Sequence, residues 1–272
     1  MAIVRIDDTN DQRLGDYRNI PDRDLLARRG IFVAEGRLVV RRLLESPWPT
    51  RSVMVTDTAV ASIRDLLDRR PTLSVYCVPQ SVMNSVVGFD IHRGCLAIGE
   101  RGSARAWQEV AADARRMVAL EAVGNADNVG AVFRASAAFG GDAVLLGPSS
   151  VDPLYRKALR TSMGAVLTVP FARAEPWPAA LHDLRKGGVA LVGLTPSPAS
   201  RPIREVVADI GSTPVVLVFG HEGDGVTADA LAACTHHARI PITEAVDSLN
   251  VATAAAIALY ELTRTDAVVR RS

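Results

Sequence analysis

This chain has almost no charge excess. Its 31 Lys and Arg residues are matched by 30 Asp and Glu residues, giving a formal net charge of +1 over 272 residues. Whole-chain charge therefore signals no nucleic-acid partner, and any basic surface must come from local clustering. Cysteine is scarce: Cys77, Cys95 and Cys234 lie far apart and show no CxxC spacing. Such a set argues against a disulfide framework and for a reducing compartment, each thiol packing as a small apolar residue. The five histidines form no HxxxH pair, and the adjacent His236 and His237 point to opposite faces if they lie on a strand. Zinc usually needs three or four convergent ligands, so no metal site is expected. No apolar run approaches the roughly 20 residues of a membrane helix. The N-terminal MAIVRIDDTNDQRLGDYRNIP lacks the apolar segment of a secretory signal. A cytoplasmic protein without membrane association is expected. Internal repeats and low-complexity tracts are also missing.

What is present is an ordinary globular composition, 48% hydrophobic and 22% charged, sufficient for a sizeable core in one large domain or two modest ones. Asp7 to Pro21 reads as an arm. Asp22 to Ser46 reads as helix with a short extended interruption, and Leu38, Val39, Leu43 and Leu44 share one helical face. RSVMVT from Arg51, LSVYCV from Leu73 and GCLAIGE from Gly94 read as strands. Val60 to Arg69 reads as an amphipathic helix between them, and Val82 to Val87 as a short one. The small and charged residues near Gly102 to Arg105 mark a linker, which divides the chain into 1–103 and 104–272. Beyond it the alternation restarts with RMVALEAV, DAVLLG, VLTVPFA, GVALVGLT, PVVLVFG and ARIPI. These runs are apolar on both faces, as buried parallel strands are. The pattern is an α/β architecture with a mostly parallel sheet in the second domain.

Three polar segments at strand ends carry the chemistry. VFGHEGDGV places Gly220, Gly223 and Gly225 directly after a strand, where glycine permits positive φ and close ligand approach. Its spacing is GxxGxG with Glu222 inside, so it is not the dinucleotide fingerprint. A tight strand–helix turn is the alternative reading. NADNVGAVFRAS supplies Asn128, placed to cap the following helix, and Gly130, which leaves room for close packing. It also supplies Arg134 on an otherwise apolar helix, either reaching to solvent or holding an anion. TEAVDSLNVATAAAIALYE runs from a polar loop into a small-residue helix, with Asp247 or Ser248 as candidate cap. Arginine clusters at Arg28, Arg29, Arg37, Arg41 and Arg42, and again at Arg156, Lys157 and Arg160. Solvated helix faces and an RNA-binding surface both account for it.

Taken together, the three segments resemble the motifs of the SpoU (TrmH) family of RNA ribose 2'-O-methyltransferases, within the SPOUT class. NxGxxxR matches Asn128, Gly130 and Arg134. GxEGxG matches Gly220, Glu222, Gly223 and Gly225. IP followed by SLNV matches Ile240, Pro241, Ser248, Leu249, Asn250 and Val251. The resemblance runs from about Val118 to the C-terminus. GIFVAEGRLVVRRLLES is similar, less specifically, to the start of the family's L30e-like RNA-binding domain. The resemblance implies a C-terminal SPOUT domain with a deep trefoil knot, a smaller L30e-like α/β domain before it, and a homodimer. It implies S-adenosyl-L-methionine as cofactor, contacted by Gly220, Ile240, Leu249, Thr195 and Gly225. It also implies Arg134, Asn128, Glu222, Ser248 and Asn250 as the catalytic set, and RNA as the partner; ribosomal and transfer RNA both fit, and the separate N-terminal domain favours ribosomal RNA. Arg134 then acts either as the base or by orienting an RNA phosphate. His221 departs from the small or amide residue more frequent in the family, and reads either as a tolerated substitution, the favoured reading, or as a contact to the cofactor or RNA. The competing readings are a nucleotide-cofactor oxidoreductase, against which the missing early GxGxxG argues, and an RNA-binding module without catalysis.

Overall fold

Val- and Leu-rich runs alternating with helices fold as two α/β units in the computed structural model, which describes residues 3–91 and 94–269, with side chains to residue 263. The first unit comprises Met1–Ala104 with Pro153–Leu167, and the second Arg105–Asp152 with Thr168–Ser272. The sequence pattern assigns Pro153–Leu167 to the second domain, but in the fold this segment belongs to the first unit. Side-chain bonds explain why. Arg156 donates to the Asp22 carboxylate at 2.7 Å and to the Ile20 carbonyl at 2.9 Å. Trp48 Nε1 donates to the Leu167 carbonyl at 3.2 Å.

The first unit holds a five-stranded sheet of β1 (Ile3–Arg5), β2 (Ile31–Glu35), β3 (Thr50–Val55), β4 (Ser74–Cys77) and β5 (Cys95–Glu100), in the order β1-β4-β3-β5-β2. Here β1, β4 and β3 run parallel, and β5 is antiparallel to both β3 and β2. The extended interruption expected after Asp22 is thus a full strand, β2. On the Arg37–Glu45 helix the buried face is Val39, Val40, Leu43 and Leu44, while Leu38 is exposed. The helix expected over Val60 to Arg69 is broken into Asp57–Val60 and Arg64–Leu67. Of the clustered arginines, Arg28, Arg29, Arg41, Arg156 and Arg160 lie against carboxylates of the same unit. Much of that cluster therefore serves local ion pairing.

The second unit is built on seven strands: β6 (Arg116–Leu120), β7 (Ala143–Leu146), β8 (Phe171–Arg173), β9 (Ala190–Leu194), β10 (Arg201–Pro202), β11 (Val215–Phe219) and β12 (His236–Arg239). Their order is β10-β12-β9-β11-β6-β7-β8, and every pairing is parallel. Alternate side chains face opposite layers. Met117, Ala119, Leu145, Leu191, Val216 and Val218 share a core with Leu181 and Leu184 of the Ala179–Lys186 helix and with Ala230 and Ala233 of the Ala228–Ala233 helix. On the other side the Ala126–Ala138 and Val251–Val269 helices pack together, and the latter also packs on β11. Covering both faces is what makes the central strands uniformly apolar, as in the fully buried VVLVF of β11. The VLTVPFA run differs from expectation: Ala165–Leu167 is a 3-10 turn and the strand begins at Phe171. The ARIPI run differs too, since β12 ends at Arg239 and leaves Ile240 and Pro241 in the following loop. No helix among the described residues is long and apolar enough to cross a membrane.

Candidate active site

Four neighbouring strands of the second unit, β12, β9, β11 and β6, end at the same edge of the sheet. In open α/β sheets the crevice beyond the carboxyl ends of the strands is where ligands bind. From these ends leave the Ile240–Asn250 segment, the Thr195 turn, the Gly220–Gly225 loop and the Glu121–Asn128 segment. The motifs are dispersed along the chain, and the parallel pairing gathers them.

The Gly220–Gly225 loop is a closed turn. His221 N–H donates to the Gly225 carbonyl at 3.1 Å, and Gly225 N–H returns the bond to the His221 carbonyl at 2.9 Å. Glycine is required at both ends. A Cβ on Gly220 would stand 2.0 Å from the Gly225 carbonyl oxygen, and Gly225 has φ +72°. The turn projects Glu222 outward. Inside it, His221 Nδ1 accepts from the Gly223 N–H at 3.0 Å and lies 3.4 Å from the Asp224 nitrogen.

A directed chain of hydrogen bonds joins the three motif segments. Glu222 Oε1 accepts from Asn128 Nδ2. Because a carboxylate oxygen accepts, Asn128 turns its amide nitrogen that way and its oxygen is left facing Asn250. Asn250 Nδ2 donates to that oxygen at 2.9 Å. Asn250 Oδ1 then accepts from the backbone N–H groups of Ala252, at 2.9 Å, and Thr253, at 3.3 Å. Asn250 thus caps the last helix, a role the sequence reading gave to Asp247 or Ser248. The cap of the Ala126–Ala138 helix is likewise Asn125, whose side chain accepts from the Asp127 N–H at 2.8 Å. Asn128 sits inside the helix, so its side chain is available for the chain of bonds.

Beside these residues is a pocket of about 280 Å³. Of the expected cofactor contacts, Thr195, Gly220, Gly225, Ile240 and Leu249 all line it, as do Glu222 and Ser248 from the expected catalytic set. Leu194, Phe219, Val251 and Ala254 add apolar wall, and Asp247 adds a carboxylate. Aliphatic walls with glycine backbone and a few polar groups are the usual make-up of a small-molecule site. Arg134 stands apart. It is exposed on the Ala126–Ala138 helix, outside the pocket lining, with no side-chain partner among the described residues.

Sequence reading missed one buried acid. Glu121, 2% exposed, follows β6. Its carboxylate accepts from Trp177 Nε1 at 2.6 Å and from Thr227 at both N–H and Oγ1, each 2.8 Å. Thr227 caps the helix that follows the glycine loop, so Glu121 ties that loop's exit to the end of β6. The available signal was an acid ending the apolar run RMVALE, since a buried carboxylate must be paired or hydrogen-bonded.

Comparison with known proteins agrees with this arrangement. Residues 115–260 match the SpoU rRNA Methylase family. An uncharacterized tRNA/rRNA methyltransferase of Mycobacterium tuberculosis is 40% identical over 94% of this chain and 90% of its own length. The 23S rRNA (guanosine(2553)-2'-O)-methyltransferase RlmP of Bacillus subtilis is 27% identical over 95% of this chain and 98% of its own. Among solved structures, the AdoMet-bound rRNA methyltransferase from Sinorhizobium meliloti superposes with a TM-score of 0.82 at 25% identity, covering 96% of this chain and 98% of that one. The SpoU methyltransferase AviRb from Streptomyces viridochromogenes shares the fold, with a TM-score of 0.81 at 21% identity over 94% and 99% of the two chains. With its motif segments gathered at one sheet edge and its sequence matched over most of its length, the chain is an RNA methyltransferase of the SpoU rRNA methylase family.

Proposed function

We propose that this chain transfers the methyl group of S-adenosyl-L-methionine to a ribose 2'-hydroxyl of RNA, and of ribosomal RNA in preference to transfer RNA. The observation that carries the reading is the Asn250–Asn128–Glu222 chain of bonds beside the pocket. It holds the three motif segments in one rigid frame, which a reaction governed by positioning requires. The hydroxyl position and the ribosomal substrate are supported by the full-length likeness to the Bacillus subtilis enzyme, whose name states both.

The pocket residues fit the cofactor chemically. Ile240 and Leu249 offer aliphatic surface for a purine, and Thr195, Ser248 and the loop backbone offer hydrogen bonds to sugar and amino-acid groups. Bound there, the cofactor supplies an electrophilic sulfonium methyl. The protein's task is to align the ribose oxygen and to let its proton leave. Arg134 is a poor base, because guanidinium keeps its proton. We assign it to an RNA phosphate: the guanidinium fixes the backbone and so orients the ribose hydroxyl, whose proton passes to solvent as the oxygen–methyl bond forms and the sulfonium–methyl bond breaks. Glu222, Asn128 and Asn250 hold the loops together beside the pocket, where Ser248 forms part of the lining.

The exposure of Arg134, apart from the pocket lining, supports a homodimer in which the active site completes near the subunit interface. A C-terminal trefoil knot, the topology that the resemblance to the SpoU family implies, is part of the same proposal. Arg37 and Arg42 lack carboxylate partners among the described residues. Residues 1–103, which Pro153–Leu167 joins in the fold, are accordingly read as an L30e-like RNA-binding domain, and the rest of 104–272 as the catalytic domain. The reaction belongs in the cytoplasm, where its substrates reside. Incubation with labelled S-adenosyl-L-methionine and rRNA or tRNA, followed by nuclease digestion and mass analysis, tests the proposal. A 2'-O-methylated nucleotide from rRNA is expected. Methyl groups on bases, or on tRNA alone, would overturn it.

A further inference from the structure

We infer that His221 is a positioning residue that sets the glycine loop through an unprotonated Nδ1. The inference rests on reading the neighbouring pocket as the cofactor site. The turn from His221 to Gly225 is closed at its ends by two backbone bonds, but its three interior N–H groups, those of Glu222, Gly223 and Asp224, have no carbonyl partner among the described residues, and two of them point at the His221 ring. The imidazole supplies the missing acceptor, at 3.0 Å to Gly223 N and 3.4 Å to Asp224 N. A Cβ added at Gly223 would stand 3.4 Å from that same nitrogen, so a side chain there would rest against the ring.

An acceptor at Nδ1 places the neutral ring's proton on Nε2. The Asp224 carboxylate lies 3.7 Å from Nδ1 and would favour a proton there, but it is 98% exposed, and solvent screening leaves the two backbone donors to decide. The ring thereby does what an Asx turn does, in which a side-chain oxygen at position i accepts from the N–H of position i+2. His221 to Gly223 has that same span. Two consequences follow for the site. The bond fixes the direction of Glu222, which lies within the turn and receives the bond from Asn128. It also fixes the backbone of Gly220 and Gly225 along the pocket wall. His221 is therefore part of the structure of the loop.

The test compares S-adenosyl-L-methionine binding by calorimetry for the full-length protein and its His221→Asn, His221→Ala and His221→Phe variants. The histidine nitrogens of the wild type are read alongside by ¹⁵N NMR. Loss of one such acceptor is expected to weaken binding about three- to tenfold in the Ala and Phe variants. The Asn variant, which restores an i+2 acceptor, is expected within about twofold of wild type. The His221 spectrum should show a bare Nδ1 and a protonated Nε2. Equal affinities for all four proteins, or a protonated Nδ1, would overturn the inference. Failure of the wild type to bind the cofactor would instead strike the pocket reading, and the NMR tautomer would then decide the His221 inference by itself. It would also decide should a variant not fold.

Discussion

Asn250 Nδ2 donates to Asn128 Oδ1 at 2.9 Å across 122 positions of sequence, and the other end of the Asn128 amide is committed to Glu222. Each amide is oriented by its neighbour, so neither can flip without breaking two bonds. Residues bonded in this way act as one unit. Asn128→Ala and Asn250→Ala should each reduce single-turnover methyl transfer by about a hundredfold, the effect of a small misplacement. The double variant should lose little more, because the coupling is already gone. Losses that multiply would show that the two amides act independently.

Arg134 has no side-chain partner among the described residues, so its removal disturbs no internal bond. Arg134→Ala should abolish methyl transfer while the midpoint of thermal unfolding and the affinity for S-adenosyl-L-methionine stay unchanged. Arg134→Lys should recover little, since a single ammonium cannot reproduce a bidentate grip on phosphate. Near-normal turnover in the Ala variant would remove Arg134 from the reaction.

Gly220 is buried against the carbonyl it faces, with 2.0 Å for an added Cβ, and the obstacle is backbone. Gly220→Ala must therefore open the His221–Gly225 turn. A loss of about 1–3 kcal/mol in denaturant unfolding is expected, together with loss of cofactor binding. Unchanged binding would mean that the turn is not part of the site.

Burial pushes the thiols of Cys95 and Cys234 up to about 12, and that of Cys77, beside the Asp57 carboxylate, up to about 11. These are native-state values above the ordinary 9.0, so the unfolded chain releases thiol protons first as pH rises. The contribution to stability is present in full below about pH 9 and is lost between about pH 9 and pH 12. Alkylation at pH 8 should be slow in the native protein and rapid in denaturant. Fast native labelling would contradict the burial.

Glu121 has three donors aimed at its carboxylate, and its replacement strands them in the interior. Glu121→Ala should cost about 3 kcal/mol or more, read as a lower unfolding midpoint. Glu121→Gln keeps the shape and one acceptor oxygen, and should cost less. A neutral Ala variant would mean that solvent reaches those donors.

Local chemistry was legible in the sequence wherever a residue's neighbours decide its state. The apolar runs of β6, β9 and β11 read as buried strands because both faces are covered. The glycines of 220–225 read as a turn because only glycine tolerates such backbone. Asn128 reads as a helix cap in sequence, but Asn125 caps that helix and the Asn128 amide instead bonds Glu222 and Asn250. Val40 and not Leu38 completes the buried face of the Arg37–Glu45 helix, because Val40 stands three and four positions before Leu43 and Leu44.

By itself the sequence determined the central strands β6, β9 and β11, the glycine turn at their edge and the residue types of the three motif segments, since each depends on steric and hydrogen-bonding preferences acting over a few residues. Tertiary structure decided that β12, β9, β11 and β6 lie side by side, and hence that Asn250, Asn128 and Glu222 meet. It also decided that Pro153–Leu167 joins the first unit and that Glu121 is buried under Trp177 and Thr227. Strand order is set by how the two helical layers cover the sheet, and contacts across 94 and 122 positions leave no mark on the pattern of either partner alone.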